Sequence, residues 1–280
     1  MFGGISSLKA HGLAWLLSIA DIMNAVNTLQ KPMYPMLDVA GNVLNFDPPL
    51  TLFPVKRWSE EEYAYPPGSA FLELLFFSPP VNDELVTYFV HLGQLSTVIE
   101  YYSRHPELCT STLLDILGDS RNLVHHRLFS LPDDSDDISL YILPSSPEPD
   151  PSHLEFTREM YHICRLSALL YSIHVTFPTP RIAPQQRQLA TALHSKLQAL
   201  ADREGGTSNP LLLWPILILT ISYGIGSPHA MEWLPLLKKL CLELRLDSRG
   251  SLLKYLRSFA WVDSAYPETN GDVLSQIICS

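Results

Sequence analysis

The most apolar stretch of the chain runs from Leu211 to Tyr223 and reads LLLWPILILTISY. It is shorter than a membrane-spanning helix, which needs about 17–25 apolar residues. A buried strand is the alternative, because the run is rich in β-branched isoleucine. However, Asn209 and Pro210 precede it in the positions of an N-cap and a first helical residue. We therefore predict that this run is the central buried helix.

Apolar residues recur at helical spacing through most of the remaining chain. The predicted helices cover residues 12–29, a short segment beginning at Ser69, a longer segment capped by Asn82, residues 111–128, 155–174 and 185–201, and two segments within residues 230–244 and 252–260. Almost no stretch alternates with the period of two that indicates a half-buried strand. The pattern predicts an all-α fold, a bundle-like single domain of many helices.

Two segments lack a helical period. Residues 131–153 contain four aspartates followed by a Pro/Ser-rich tract, a composition typical of a flexible linker. We therefore expect an N-terminal helical half (residues 1–130), an acidic linker (131–153) and a C-terminal half (154–280) packed on the first. Residues 36–67 predict a long loop that lies on the core through its apolar residues, which are Leu50, Leu52, Phe53 and Trp58.

The N-terminus has some features of a secretion signal, because Lys9 precedes the apolar run LAWLLSIA. The apolar positions Leu13, Leu16, Ala20 and Met23 nevertheless continue at helical spacing past the residues that would be cleaved. We predict a helix of the mature protein at this place.

Composition narrows the classes of protein further. The formal net charge is -10, from 19 basic and 29 acidic residues, so duplex DNA would repel the chain unless its basic residues were gathered on one face. The densest basic pairs, Lys56-Arg57 and Lys238-Lys239, are typical of solvated surfaces. The cysteines are too widely spaced for a disulfide framework or a zinc knuckle, which indicates a reducing compartment; they are Cys109, Cys164, Cys241 and Cys279.

Candidate chemistry is sparse in this sequence. Neighbouring helical residues point about 100° apart, so His125 and His126 are predicted to be a solvated pair and not two ligands of one metal. Asp21, inside the first helix, is predicted to cap or pair with a neighbouring loop. Gly224 and Gly226 predict a turn that ends a helix. The sequence therefore predicts no catalytic, cofactor-binding or metal-binding residue.

The order of several segments resembles the fungal-specific transcription factor domain. The segments are WLLSIADIMNAVNTLQKPMY (15–34), REMYHICRLSALLYSIHV (158–175), LLLWPILILTIS (211–222) and LKYLRSFAWVD (253–263). In that family an all-helical regulatory region follows a six-cysteine binuclear zinc cluster. Nothing in this chain resembles the cluster, its basic linker or its coiled coil.

The resemblance implies a regulator in the nucleus, or alternatively the cytoplasm, without its own DNA-binding zinc cluster. Such a protein would act through protein partners, among them a DNA-binding regulator, or through a small apolar ligand, and one role it implies is control of a secondary-metabolite gene cluster. No direct specific DNA binding, no membrane association and no cofactor are expected. Two alternatives remain open: a natural-product enzyme, tailoring or cyclising, with an apolar helical pocket, and a structural adaptor with an exposed apolar patch.

Overall fold

The structure, a computed structural model, describes residues 12–38, 41–44, 66–143, 150–177, 184–203, 208–224, 226–265 and 271–278. Within these ranges the α-helices are α1 (Leu13–Thr28), α2 (Asp83–Arg104), α3 (Ser111–Ser130), α4 (Pro151–Tyr171), α5 (Pro184–Ala201), α6 (Leu213–Tyr223), α7 (Pro228–Glu243), α8 (Arg249–Leu256) and α9 (Gly271–Ile278). A 3₁₀ helix, Ser69–Phe76, precedes α2, and α4 ends in a π-helical turn, Ser172–Thr176. The same ranges contain no strand, only isolated bridges, so the all-α prediction is confirmed.

Helix α6 is the central buried helix that the sequence predicts. The Asn209 side chain accepts a hydrogen bond from the Leu211 backbone N–H at 2.9 Å, and a 3₁₀ turn, Pro210–Leu212, leads into the helix. Every residue from Leu213 to Thr220 is buried, and α6 packs against α4, α5 and α7. The helix ends at Gly224, whose positive φ of 83° is a conformation that glycine adopts without strain.

Four aromatic rings meet at one end of α6, and we call them the aromatic centre: Phe71, Phe89, Trp214 and Phe259. The Trp214 indole lies parallel to Phe259 with 5.9 Å between ring centroids, and Phe71 meets the indole edge-on at 5.3 Å. The indole Nε1–H donates a 2.8 Å hydrogen bond to the backbone carbonyl of Ala260, so the only polar atom of the side chain is paired.

The aromatic centre depends on a close backbone approach. Gly93 of α2 lies against the backbone of Gly68 and Phe259, and a Cβ atom at position 93 would lie 2.3 Å from the Phe259 carbonyl oxygen. The Gly68 N–H in turn donates to that carbonyl at 3.0 Å. Only a residue without a side chain fits at position 93, because any Cβ would overlap backbone atoms that cannot rotate away.

Within the described residues, one large cluster of buried side chains joins the two halves of the chain. This cluster extends from Ala25 to Ile277 and includes both Phe89 of α2 and Leu217 of α6. No helix in the described ranges is long and apolar enough to cross a bilayer. Most of the loop predicted over residues 36–67, with all four apolar residues expected to dock, lies outside the described residues.

The first helix forms as predicted, and the apolar positions that indicate its period are largely exposed. Leu13, Leu16 and Met23 are 44, 54 and 40% exposed, while Ile22 and Val26 are buried. The helical period of the apolar residues is therefore correct, whereas the stripe that the period selects lies on the surface among the described residues. The sequence could not decide the face, because α1 is apolar on more than one side.

Candidate functional site

The acidic segment, Leu131 to Leu143, differs from the flexible linker predicted for residues 131–153. Leu131, Tyr141 and Ile142 are buried in the main core. Backbone hydrogen bonds from Asn82 N to Tyr141 O and from Leu143 N to Pro80 O fix its C-terminal end. The prediction was wrong for these residues because the segment contains apolar anchors before and after its aspartates. Residues 144–149 lie outside the described residues, and 151–153 begin α4.

A tyrosine of α4 packs against a tyrosine of the acidic segment. The rings of Tyr141 and Tyr161 stack with 4.7 Å between centroids and 15° between planes. The Tyr161 hydroxyl donates to the Pro132 carbonyl at 2.9 Å. Burial raises the pKa of Tyr161 above its ordinary value, so this phenol keeps its proton and remains a donor.

The aspartates of the acidic segment point towards cations from three different helices or loops. Asp136 pairs with Lys31, which follows α1, and Asp134 Oδ1 lies 3.0 Å from Lys196 Nζ of α5. Asp133 Oδ2 lies 3.9 Å from Arg165 of α4. The Lys31 ammonium lowers the pKa of Asp136, so this carboxylate is charged at neutral pH.

His162 of α4 is the buried centre of this charged network. Its Nε2 lies 3.1 Å from Asp134 Oδ1 and 3.3 Å from the Tyr141 hydroxyl, and the side chain is only 2% exposed. Burial lowers the pKa of His162 to about 4, helped by nearby cations and opposed by Asp134. The ring is therefore neutral at pH 7; its hydrogen bond is with the Tyr141 hydroxyl, and the Asp134 carboxylate lies close beside it.

Glu159 lies one helical turn before His162 and is also buried. Its Oε1 is 3.3 Å from Lys196 Nζ and 3.9 Å from the Arg158 guanidinium, while its Oε2 has no hydrogen-bond partner. Lys196 therefore bridges a buried carboxylate of α4 and an exposed carboxylate of the acidic segment. These contacts attach the acidic segment to α4 and α5, and His162 Nε2 is already in contact with Asp134 and Tyr141.

The histidine pair of α3 is not a solvated pair. His125 is completely buried, its Nδ1 lies 2.6 Å from Ser172 Oγ, and its ring stacks on Phe177. Burial lowers its pKa to about 3, and its Nε2 has no hydrogen-bond partner. His126 is half-buried and bonds through Nε2 to the Tyr34 carbonyl at 2.8 Å. The prediction was wrong because the π-helical turn after α4 covers this face of α3, a long-range contact that no local pattern shows.

Other residues singled out by sequence behave more simply. Asp21 accepts hydrogen bonds from the Met33 and Tyr34 backbone at 2.7 and 2.8 Å, which confirms that it pairs with a neighbouring loop. Lys239 pairs with Glu243, while Lys56 and Arg57 lie outside the described residues. The described cysteines are free thiols: Cys109, Cys164 and Cys241.

The sequence placed His162 on the polar face of its helix but gave no sign of its burial or of its partners. The signal that could have found the network is the spacing of Glu159 and His162, which are three positions apart and so share a face. Comparison with protein-family models, with curated proteins and with solved structures gives no match. The described residues form an all-α fold around one large cluster of buried residues.

Proposed function

We propose that the chain is a transcription-regulator-like protein of fungal type that acts through protein partners and not through direct contact with DNA. Two features support this proposal. The segments that resemble the fungal-specific transcription factor domain coincide with α1, α4, α6 and the region from α8 to Asp263, and they belong to an all-α fold. The net charge of -10 favours protein contacts over contacts with phosphates. The proposed location is the nucleus.

The observation that carries the proposal is the composition and placement of the acidic segment. Its four aspartates, at positions 133, 134, 136 and 137, are followed directly by the mostly apolar residues ISLYIL, so acidic and apolar side chains adjoin as they do in segments with which transcription activators contact partner proteins. Leu140 and Leu143 are 53 and 41% exposed although neighbouring residues are buried, and Asp137 beside them is exposed. The segment thus presents acidic and apolar side chains together on the surface.

The contacts that attach the acidic segment to the helices support the proposal that a partner protein can bind its surface. Paired aspartates of the segment face cations, whereas its buried anchors contact the core. Ion pairs at a surface contribute only about 0–1 kcal/mol each. A partner that offers its own cations could therefore compete for these aspartates without unfolding the core.

A promoter-tethered fusion in a reporter strain tests the proposal. The fusion of the full chain should raise transcription. The variant L140A/L143A/D137N should lose most of that effect, because it removes the exposed apolar and acidic groups of the segment. The control L114A/L242A/D247N changes exposed residues of the same types elsewhere and should retain the effect.

Gel-shift titration at low salt, with a random DNA fragment and a promoter fragment, tests whether the chain binds DNA directly. We expect no preference for the promoter, since the chain has more acidic than basic residues. Tight binding that prefers the promoter would overturn the partner-mediated mechanism. A silent fusion together with turnover of a small apolar substrate would favour the enzyme alternative.

A further inference from the structure

Three side chains with metal-ligand chemistry meet where α5 faces the beginning of α7. His194 comes from α5, and His229 and Glu232 come from the first two turns of α7. His229 and Glu232 are three positions apart, so they share one face of the helix. One ligand atom from each residue lies within 4.8 Å of the others, and His194 Nε2 is 3.9 Å from Glu232 Oε2.

The ligand atoms of these side chains are somewhat farther apart than the ligand atoms of one bound metal ion. Zinc binds imidazole nitrogen at about 2.0–2.1 Å and carboxylate oxygen at about 2.0–2.2 Å, so donors on one tetrahedral ion are about 3.3–3.5 Å apart. His229 and Glu232 are exposed, and small rotations of their side chains would close the remaining gap. His194 is only partly exposed and lies among the rings of Tyr223 and Trp233, which restrict its orientation.

We propose that His194, His229 and Glu232 form a site for a divalent transition-metal ion, with zinc as the expected ion. Two imidazoles and one carboxylate suit zinc, copper and nickel, whereas calcium and magnesium prefer oxygen ligands throughout. Three protein ligands leave the fourth tetrahedral position to water or to a ligand from a partner. This inference is independent of the proposed function in transcription.

Trp233 determines which ring nitrogen of His194 carries the proton. Its indole Nε1–H donates to His194 Nδ1 at 3.3 Å, so in the metal-free ring the proton is on Nε2. Metal binding through Nε2 needs that nitrogen deprotonated and moves the proton to Nδ1, which then faces the indole N–H. Trp233 is therefore expected to oppose metal binding, and removing its N–H should strengthen it.

The site would also connect two helices that are separated in sequence. An ion bound by both helices would link His194 of α5 to His229 and Glu232 of α7. Helix α6 separates these two helices in the sequence. An ion that binds only the folded chain raises the apparent stability by mass action. Metal binding should therefore be visible both as stoichiometric uptake and as a rise in the thermal midpoint.

Calorimetric titration of the full, untagged chain with zinc chloride tests the site. We expect one zinc ion per chain, with His229→Asn and Glu232→Gln each weakening the affinity by at least about tenfold, the lower end of what even supporting residues contribute. His153→Asn changes an equally exposed histidine on α4 and should leave the affinity unchanged. Trp233→Phe should tighten binding.

The outcomes are distinguishable. Both His229→Asn and Glu232→Gln alter exposed side chains, so they should fold like the parent, which circular dichroism checks. No saturable uptake by the parent would overturn the proposal, as would variants that bind zinc as tightly as the parent. Weaker binding by Trp233→Phe, with an unchanged fold, would refute the assigned role of the His194 Nε2 atom.

Discussion

The aromatic centre and the acidic segment show two different ways of holding parts of this fold together. At the aromatic centre, apolar rings exclude water, and Trp214 has its single polar atom bonded to a backbone carbonyl. At the acidic segment, buried Leu131 and Tyr141 flank aspartates whose partners are cations from distant parts of the chain. Burial of apolar surface depends little on pH and on moderate salt, whereas charge pairs depend on both.

The two regions should therefore respond differently to substitutions. Removing a large ring leaves a cavity that a close-packed interior cannot fill. Weakening a partly exposed ion pair lets water replace the lost partner. We therefore expect changes at the aromatic centre to affect global stability and changes at the acidic segment to affect its local attachment.

The largest effect is expected for Trp214→Ala. The indole is completely buried between Phe71 and Phe259, so the substitution should lower the free energy of unfolding by about 3–5 kcal/mol. Urea denaturation followed by circular dichroism measures it. A midpoint equal to that of the parent would mean that the indole is not in the core.

Gly93→Ala should be the next most damaging change. The added Cβ would lie 2.3 Å from Phe259 O and 2.5 Å from Gly68 Cα, so helix α2 has to move away, at a cost of about 1–3 kcal/mol.

The matched control is Gly118→Ala in α3, where no atom lies within 4 Å of the new Cβ. This substitution should stabilise the helix by about 0.5–1 kcal/mol. Opposite signs for the two substitutions in thermal denaturation would confirm the close approach; stabilisation by both would contradict it.

Lys196→Ala tests the bridge between α4 and the acidic segment. It removes a cation from the buried Glu159 and from Asp134, and we expect a loss of about 1–2 kcal/mol, reduced by the partial exposure of the lysine. Hydrogen exchange should show faster opening of residues 131–143 with little change in α6. Uniform acceleration over the whole chain would mean that the segment does not open separately from the core.

Acidification should weaken the same region with a predictable sign. The folded pKa of His162, about 4, lies below its ordinary value of 6.5, so the unfolded chain binds the proton more readily between these values. The contribution of this group to stability is complete above pH 6.5 and is lost as the pH falls towards 4. The loss is at most about 1.4 kcal/mol per pH unit for one histidine.

The variant His162→Gln replaces the imidazole with a neutral polar amide that does not titrate in this range. Its unfolding free energy should fall less steeply than that of the parent between pH 6.5 and 5, whereas His153→Gln should follow the parent. Equal slopes for parent and His162→Gln would show that His162 does not titrate as its burial implies.

Local patterns in the sequence predict α1 to α8, but not α9, and identify α6 as the central helix. Local chemistry sets these features: the helical period of apolar residues, the caps Asn82 and Asn209, and the glycine turn at Gly224. Asp21 was also predictable in kind, because a short carboxylate near a loop finds backbone N–H groups within a few residues.

Which polar side chains are buried, and which partners they contact, depends on how the helices pack together. The partners of Asp134 and Asp136 lie 62 residues ahead and 105 residues behind in sequence, and His125 is covered by a turn that includes Ser172. The cluster of His194, His229 and Glu232 likewise exists only because α5 lies beside α7. Local periodicity reports the propensity of one segment, whereas burial, pKa shifts and ligand clusters arise from the sum of contacts between segments, which packing alone determines.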